Sequence, residues 1–147
     1  MKRVRTRLGR SAILCTVAGT ALALTATPAL ADEISTLVYG DSGAYLGSGK
    51  WVSATSGANE NGYISAYDAY CDGDNGIIGA LYKQVSGSWQ RTNLVSQRGC
   101  GQTNTTQIKP PPTGPAYGAY VRFRVCKLLP DGTWKDCQDK YGYNRYQ

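Results

Sequence analysis

Apolar residues after position 32 fall in short alternating runs, cut by clusters of Gly, Asp, Asn and Ser. No long helical period appears among them. The runs predict strands over 34–39, 44–47, 50–55, 62–71, 76–84, 88–96, 103–109, 118–128 and 133–142. Turn chemistry separates them: Asp41-Ser42-Gly43, Gly57-Ala58-Asn59, Asp72-Gly73-Asp74-Asn75-Gly76, Ser86-Gly87 and Pro130-Asp131-Gly132. Short strands at this spacing predict an all-β fold, a small β-sandwich. "KPPPTGPAYG" (Lys109 to Gly118) cannot be a central strand, because its prolines lack ladder donors; it reads as one long surface connection within a single domain. No internal repeat is visible.

The run "YVRFRVC" alternates cleanly. Val121, Phe123 and Val125 are expected to face the core, and Tyr120, Arg122, Arg124 and Cys126 the other side. With an even loop centred on Asp131-Gly132, one hairpin register sets Cys126 opposite Cys137. It also sets Arg124 opposite Asp139, Lys127 opposite Asp136, and Arg122 opposite Tyr141. A slip of one residue would undo all four pairs. A three-residue loop with a bulge is the competing geometry that Pro-Asp-Gly permits.

The first 31 residues belong to a different pattern. A basic start, "MKRVRTRLGR", leads into an apolar stretch of small residues that ends in Ala29-Leu30-Ala31. This is the form of a secretory signal peptide, with the mature chain expected from about Asp32 to residue 147. The stretch is short for a membrane anchor and is followed by a cleavage signal. Cys15 sits too early for a lipidation site, and Leu14 before it is too large. Cleavage changes the charge argument. The formal net charge of +6 owes five of its bases to residues 1–10, whereas all ten acids lie after residue 31. The remainder is nearly neutral, which argues against a nucleic-acid partner and against insertion in a membrane. Its charge is uneven all the same: residues 32–82 hold one base and seven acids, and residues 83–147 ten bases and three acids. Either the two halves interleave as strands and pair locally, the plainer reading, or one face of the domain is basic.

A mature chain of this length buries about 65% of its unfolded surface and is expected to be a monomer. Its four cysteines, Cys71, Cys100, Cys126 and Cys137, imply two disulfides in an exported protein. If Cys126 pairs with Cys137, then Cys71 pairs with Cys100.

Little in the chain looks like catalysis. Histidine is absent from the sequence, which removes Ser-His and Cys-His nucleophile pairs and zinc sites that need imidazole. "GDSG" (Gly40 to Gly43) matches the nucleophile segment of trypsin-like proteases, but Ser42 has no histidine to take its proton, so it reads as a turn. In "CDGDNG" (Cys71 to Gly76), Asp72, Asp74 and Asn75 offer oxygens to a calcium ion. The spacing misses an EF-hand by one residue and no Glu closes the loop, so a hairpin turn is the expectation. The cysteines lack C-x-x-C spacing and the close pairs of a zinc ribbon, so they read as structural. No spacing supports a carboxylate pair, and no cofactor or metal is expected.

The aromatic content carries more. The chain holds 11 Tyr, three Trp and one Phe. Tyr and Trp join an apolar body to a polar tip, which suits recognition surfaces as well as sandwich cores. Arg122, Arg124, Trp134 and Tyr141 form the candidate binding patch, beside the tail "KYGYNRYQ".

"YCDGDNGIIGALY", then "GSWQRT", Cys100 and "VRFRVCKLLPDGTWKDCQ" resemble a group of small secreted actinobacterial proteins. There, too, a strand ends in Cys-Asp before an Asp/Gly turn, and a "VC…C" hairpin closes the domain. The resemblance covers roughly residues 60–140; the Pro-rich insert at 110–115 and the Tyr-rich tail depart from it. It implies an immunoglobulin-like or fibronectin-like antiparallel β-sandwich with two disulfides, no catalytic residues and no cofactor. A weaker likeness joins "YGDSGAYLGSGKW" to microbial βγ-crystallin domains, with the gap from Tyr39 to Tyr45 one residue too long.

The expected function is therefore a secreted, extracellular, non-enzymatic binding module for a protein or a cell-wall glycan. Two alternatives make different demands. An enzyme inhibitor would expose one ordered convex loop supported by a disulfide, with the Pro-rich segment its natural candidate. A carboxylate-dependent hydrolase would need a cleft holding two acids about 5–10 Å apart.

Overall fold

The computed structural model describes residues 33–53 and 62–145. The signal-peptide reading, Cys15 and the Gly57-Ala58-Asn59 turn lie outside them. Among these residues eight strands follow one another: β1 (Glu33–Tyr39), β2 (Tyr45–Ser53), β3 (Gly62–Asp68), β4 (Gly76–Val85), β5 (Ser88–Arg98), β6 (Gln102–Gln107), β7 (Tyr120–Leu128) and β8 (Trp134–Tyr143). They form two four-stranded antiparallel sheets, ordered β1-β2-β3-β6 and β5-β4-β7-β8. The sheets stack face to face over one core: Val38, Trp51, Ile64, Ile77, Leu81, Val121, Phe123 and Val125 are all at most 1% exposed. The all-β sandwich and its inward set on β7 are as the alternation predicts.

The chain crosses between sheets after β3, after β5 and after β6. The first two crossings meet at one end. Cys71–Cys100 bridges them there, and Cys126–Cys137 ties β7 to β8. Beside the first bridge lies Asp68, 2% exposed, whose carboxylate accepts the N–H groups of Tyr70 at 3.3 Å and Gly99 at 3.0 Å. Burial holds this carboxyl above the ordinary carboxylate range, and the two N–H groups oppose that.

Four expectations change. The strands expected over 44–47 and 50–55 are a single one, β2, with Gly47 and Gly49 inside it; Ala54 and Thr55 lie outside the described residues. The two glycines face the core, and their lack of a side chain lets the opposite sheet approach: a Cβ on Gly49 would stand 2.4 Å from Val125 Cγ2. Residues 69–75 are not a hairpin turn but the crossing from β3 to β4. Lys127 does not pair with Asp136. It lies opposite Lys135 and binds the Asp72 carboxylate at 3.1 Å. The cause is the three-residue turn Pro130-Asp131-Gly132, closed by Leu129 and Thr133, which shifts the register next to it by one. A bulge at Asp136, at φ 51°, shifts it back, so Arg124 still meets Asp139 and Arg122 still meets Tyr141. Finally, the halves do interleave as strands, with most of β4 set between β5 and β7 and β6 beside β3, and Lys127 pairs with Asp72 across them, but this does not even out the charge between the two sheets. The strands of the β5-β4-β7-β8 sheet carry eight basic and two acidic residues, those of the other sheet one basic and two acidic.

Candidate functional site

The outer face of the β5-β4-β7-β8 sheet gathers rings and cations in cross-strand rows. Tyr82, Arg122 and Tyr141 are register partners across β4, β7 and β8, and Arg91 on β5 faces Tyr82. Tyr120 and Tyr143 pair in the neighbouring row. Trp89 reaches both rows, with ring centres 5.9 Å from those of Tyr120 and Tyr141. Tyr120 and Tyr141 lie nearly parallel, 15° apart with centres separated by 6.0 Å, and Tyr143 is 5.1 Å from Tyr120. Tyr120, Tyr141 and Tyr143 remain 38–48% exposed, so the cluster is a surface and not a second core.

A bulge puts Trp89 there. Leu81 pairs with Asn93 but Tyr82 with Arg91, so Thr92 is an extra residue in β5. Thr92 and Asn93 are both buried; the Thr92 hydroxyl donates to the Leu81 carbonyl at 3.2 Å, and the Asn93 amide to the Gln107 carbonyl at 2.9 Å. Strict alternation from buried Val95 would turn Trp89 and Arg91 inward. The inserted residue turns them outward.

At the centre, the Arg122 guanidinium carbon lies 4.3 Å from the Tyr82 ring centre and 5.0 Å from that of Trp89. The rings hold the guanidinium by cation–π attraction and dispersion, and its buried Nε has no hydrogen-bond acceptor among the described residues. One residue pair further along, Arg124 grips Asp139 with two hydrogen bonds of 2.7 Å. This fork holds the Asp139 carboxyl below the ordinary carboxylate range and raises the arginine. Beyond it, Trp134 covers Ile78, Cys126 and Leu128, so the second disulfide sits under a small apolar cap.

Of the sequence-proposed patch, the structure brings Arg122 and Tyr141 together. Arg124 is occupied by Asp139, and Trp134 stands at the far end of the same face, where Arg91 lies 6.0 Å over its ring. Sequence reasoning missed Tyr82, Trp89 and Tyr120. Tyr82 and Trp89 needed the pairing of β4 with β7 and the bulge at Thr92. Tyr120 could have been found from its alternation with Arg122 alone.

The other candidate chemistries meet occupied groups. Asp72 is bound by Lys127, the Asn75 amide donates to the Asp72 carbonyl at 3.3 Å, and Arg98 donates to the Asp74 carbonyl. Among the described residues no three His, Cys, Asp or Glu side chains gather as a metal site. A recess of about 360 Å³ beside β5 is lined by Arg91, Thr92, Asn93, Leu94, Thr106 and Lys109, with no carboxylate. The Pro-rich loop is held by hydrogen bonds and carries neither disulfide. Buried Asn144 donates to the carbonyls of Pro115 and Ala116 at 3.0 and 3.1 Å, and Lys83 donates to that of Pro112. No protein-family model, curated protein or solved structure matches the chain.

Proposed function

We propose that this protein is a secreted, non-enzymatic binding module, acting outside the cell through the outer face of the β5-β4-β7-β8 sheet. Export and removal of residues 1–31 belong to this reading; two disulfides in one small domain fit an oxidising compartment. So does the likeness to small secreted actinobacterial proteins, with its immunoglobulin-like or fibronectin-like character taken as two packed antiparallel sheets in this chain's own strand order. The partner is a cell-wall glycan or an extracellular protein, met by a monomer.

The observation that carries the reading is Arg122, stacked between Tyr82 and Trp89 with its buried Nε unpartnered, beside three exposed tyrosines. A cation held this way is positioned for recognition, because the rings fix it without neutralising it. The β7–β8 register is secured beside it by Arg124–Asp139 and the disulfide.

The test compares wild-type protein with Trp89→Ala/Arg122→Ala/Tyr141→Ala for retention on insoluble cell-wall polysaccharide and in pull-downs from culture supernatant. Losing three central anchors weakens binding about tenfold or more. A folded triple variant that binds like the wild type refutes the face. Thr113→Arg, at the tip of the Pro-rich loop, leaves binding intact; if it alone abolishes capture of a protein partner, the loop-presenting inhibitor replaces this reading.

A further inference from the structure

We infer that the ligand of this face is an acidic polysaccharide, a chain of sugars bearing repeated carboxylate or phosphate groups. The inference rests on the binding-module reading and adds the chemistry of the ligand. Among the described residues, three arginines lie over rings of this face: Arg91 over Trp134 at 6.0 Å, Arg122 over Tyr82 and Trp89, and Arg145 over Tyr143 at 4.9 Å. None of the three is in an ion pair with a described residue. The one carboxylate among them, Asp139, is held by the fourth arginine, Arg124. A guanidinium stacked on a ring keeps its in-plane N–H groups for an oxyanion, which it can bind through two parallel hydrogen bonds.

The distribution of these cations selects a polymer. Arg145 stands beyond the tyrosine end of the face, Arg122 at its centre, and Arg91, in the same row as Arg122 but on the β5 edge, extends its guanidinium toward Trp134. A small anion would meet one of them; a linear polyanion meets all three. Tyr120 and Tyr141, stacked nearly parallel on one another and partly exposed between these points, add aromatic surface for sugar rings.

The experiment measures binding of the full protein to polygalacturonate, to its methyl ester with the same backbone, to a polymer of hexose units joined by phosphodiesters and to single-stranded DNA of equal charge. Binding to the uronate or the hexose phosphate, weakening steeply with salt and absent for the ester, is expected; which of the two binds more tightly identifies the anion. Arg122→Gln lowers that affinity about tenfold, and Arg122→Lys nearly as much, because the ammonium lacks the planar fork. Lys135→Gln removes the same charge away from the stacked set and changes affinity less than twofold or so. Equal binding to the ester overturns the anionic ligand while leaving a binding face. An Arg122→Lys variant at wild-type affinity, or no binding to either anionic polymer, overturns the inference. Tighter binding to DNA than to both, or capture of an acidic protein alone, assigns the face to another class of partner and overturns it as well.

Discussion

Gly49→Ala adds one methyl group where the two sheets approach closely. Gly49 has no left-handed backbone angle, so alanine fits its conformation and restricts the unfolded chain, a gain of about 0.4–1 kcal/mol. The new Cβ would nevertheless lie 2.4 Å from Val125 Cγ2, 3.0 Å from Val125 Cγ1 and 3.1 Å from the Phe123 ring. Val125 and Phe123 are fully buried and packed by β2 from one side and β4 from the other. Relief therefore requires the sheets to separate or two core side chains to leave their rotamers, which costs about 1–3 kcal/mol. The net expectation is a loss of about 1–2 kcal/mol. Gly79→Ala is the internal control, because its nearest contacts are at 3.3 Å and a slight adjustment accommodates them. In urea unfolding followed by the fluorescence of buried Trp51, the Gly49→Ala midpoint falls by roughly 1 M while Gly79→Ala stays close to wild type. A Gly49→Ala protein as stable as wild type, with unchanged dependence on urea, would show that the sheets do not meet at β2 as described.

Removing the second bridge by Cys126→Ser/Cys137→Ser lowers stability by roughly 3 kcal/mol on the chain-entropy account, read by thermal unfolding against the wild type. Asp139 titrates below the ordinary range because of Arg124, so the pair stabilises the fold above about pH 4 and its contribution fades as pH falls through the lowered value. Asp139→Asn accordingly costs about 1 kcal/mol near pH 7 and almost nothing in strong acid, measured by urea unfolding across pH. Asp68 has the opposite sign: its carboxyl is raised, so the wild type loses stability relative to Asp68→Asn as pH climbs from about 3 toward neutrality. Asp68→Ala leaves the Tyr70 and Gly99 N–H groups unpartnered and costs about 1–3 kcal/mol more than Asp68→Asn.

What could be read from the sequence was local or periodic. The alternation of Val121, Phe123 and Val125 against Arg122 and Arg124 named the core side of β7, and the hairpin register set Cys126 opposite Cys137 and so left Cys71 for Cys100. The β7–β8 register was legible for a reason that the turn conceals. The expected even loop is a three-residue turn, and the bulge at Asp136 cancels the resulting offset, so the pairs beyond the bulge survive and Lys127–Asp136 beside it does not. Glycine misled in β2, where it serves close packing of sheets and not a bend. The binding face was half visible. Arg122 and Tyr141 share a hairpin, whereas Tyr82 comes from a strand about 40 residues earlier in the chain and Trp89 is turned outward by an inserted threonine. Alternation has no means of marking a bulge in a run of polar residues such as Gln90 to Asn93, so half of the aromatic cage had no signature in the sequence.

The central claim is that one sheet face does the binding, and backbone amide shifts map it most directly. Titrating ¹⁵N-labelled protein with solubilised cell-wall polysaccharide should perturb Tyr82, Trp89, Tyr120, Arg122, Tyr141 and Tyr143, together with the Trp89 indole N–H, and leave β1, β2, β3 and β6 unmoved. Perturbations centred on Ser35, Ser48, Ser65 and Thr105 of the opposite sheet, or confined to residues 110–117, would contradict it.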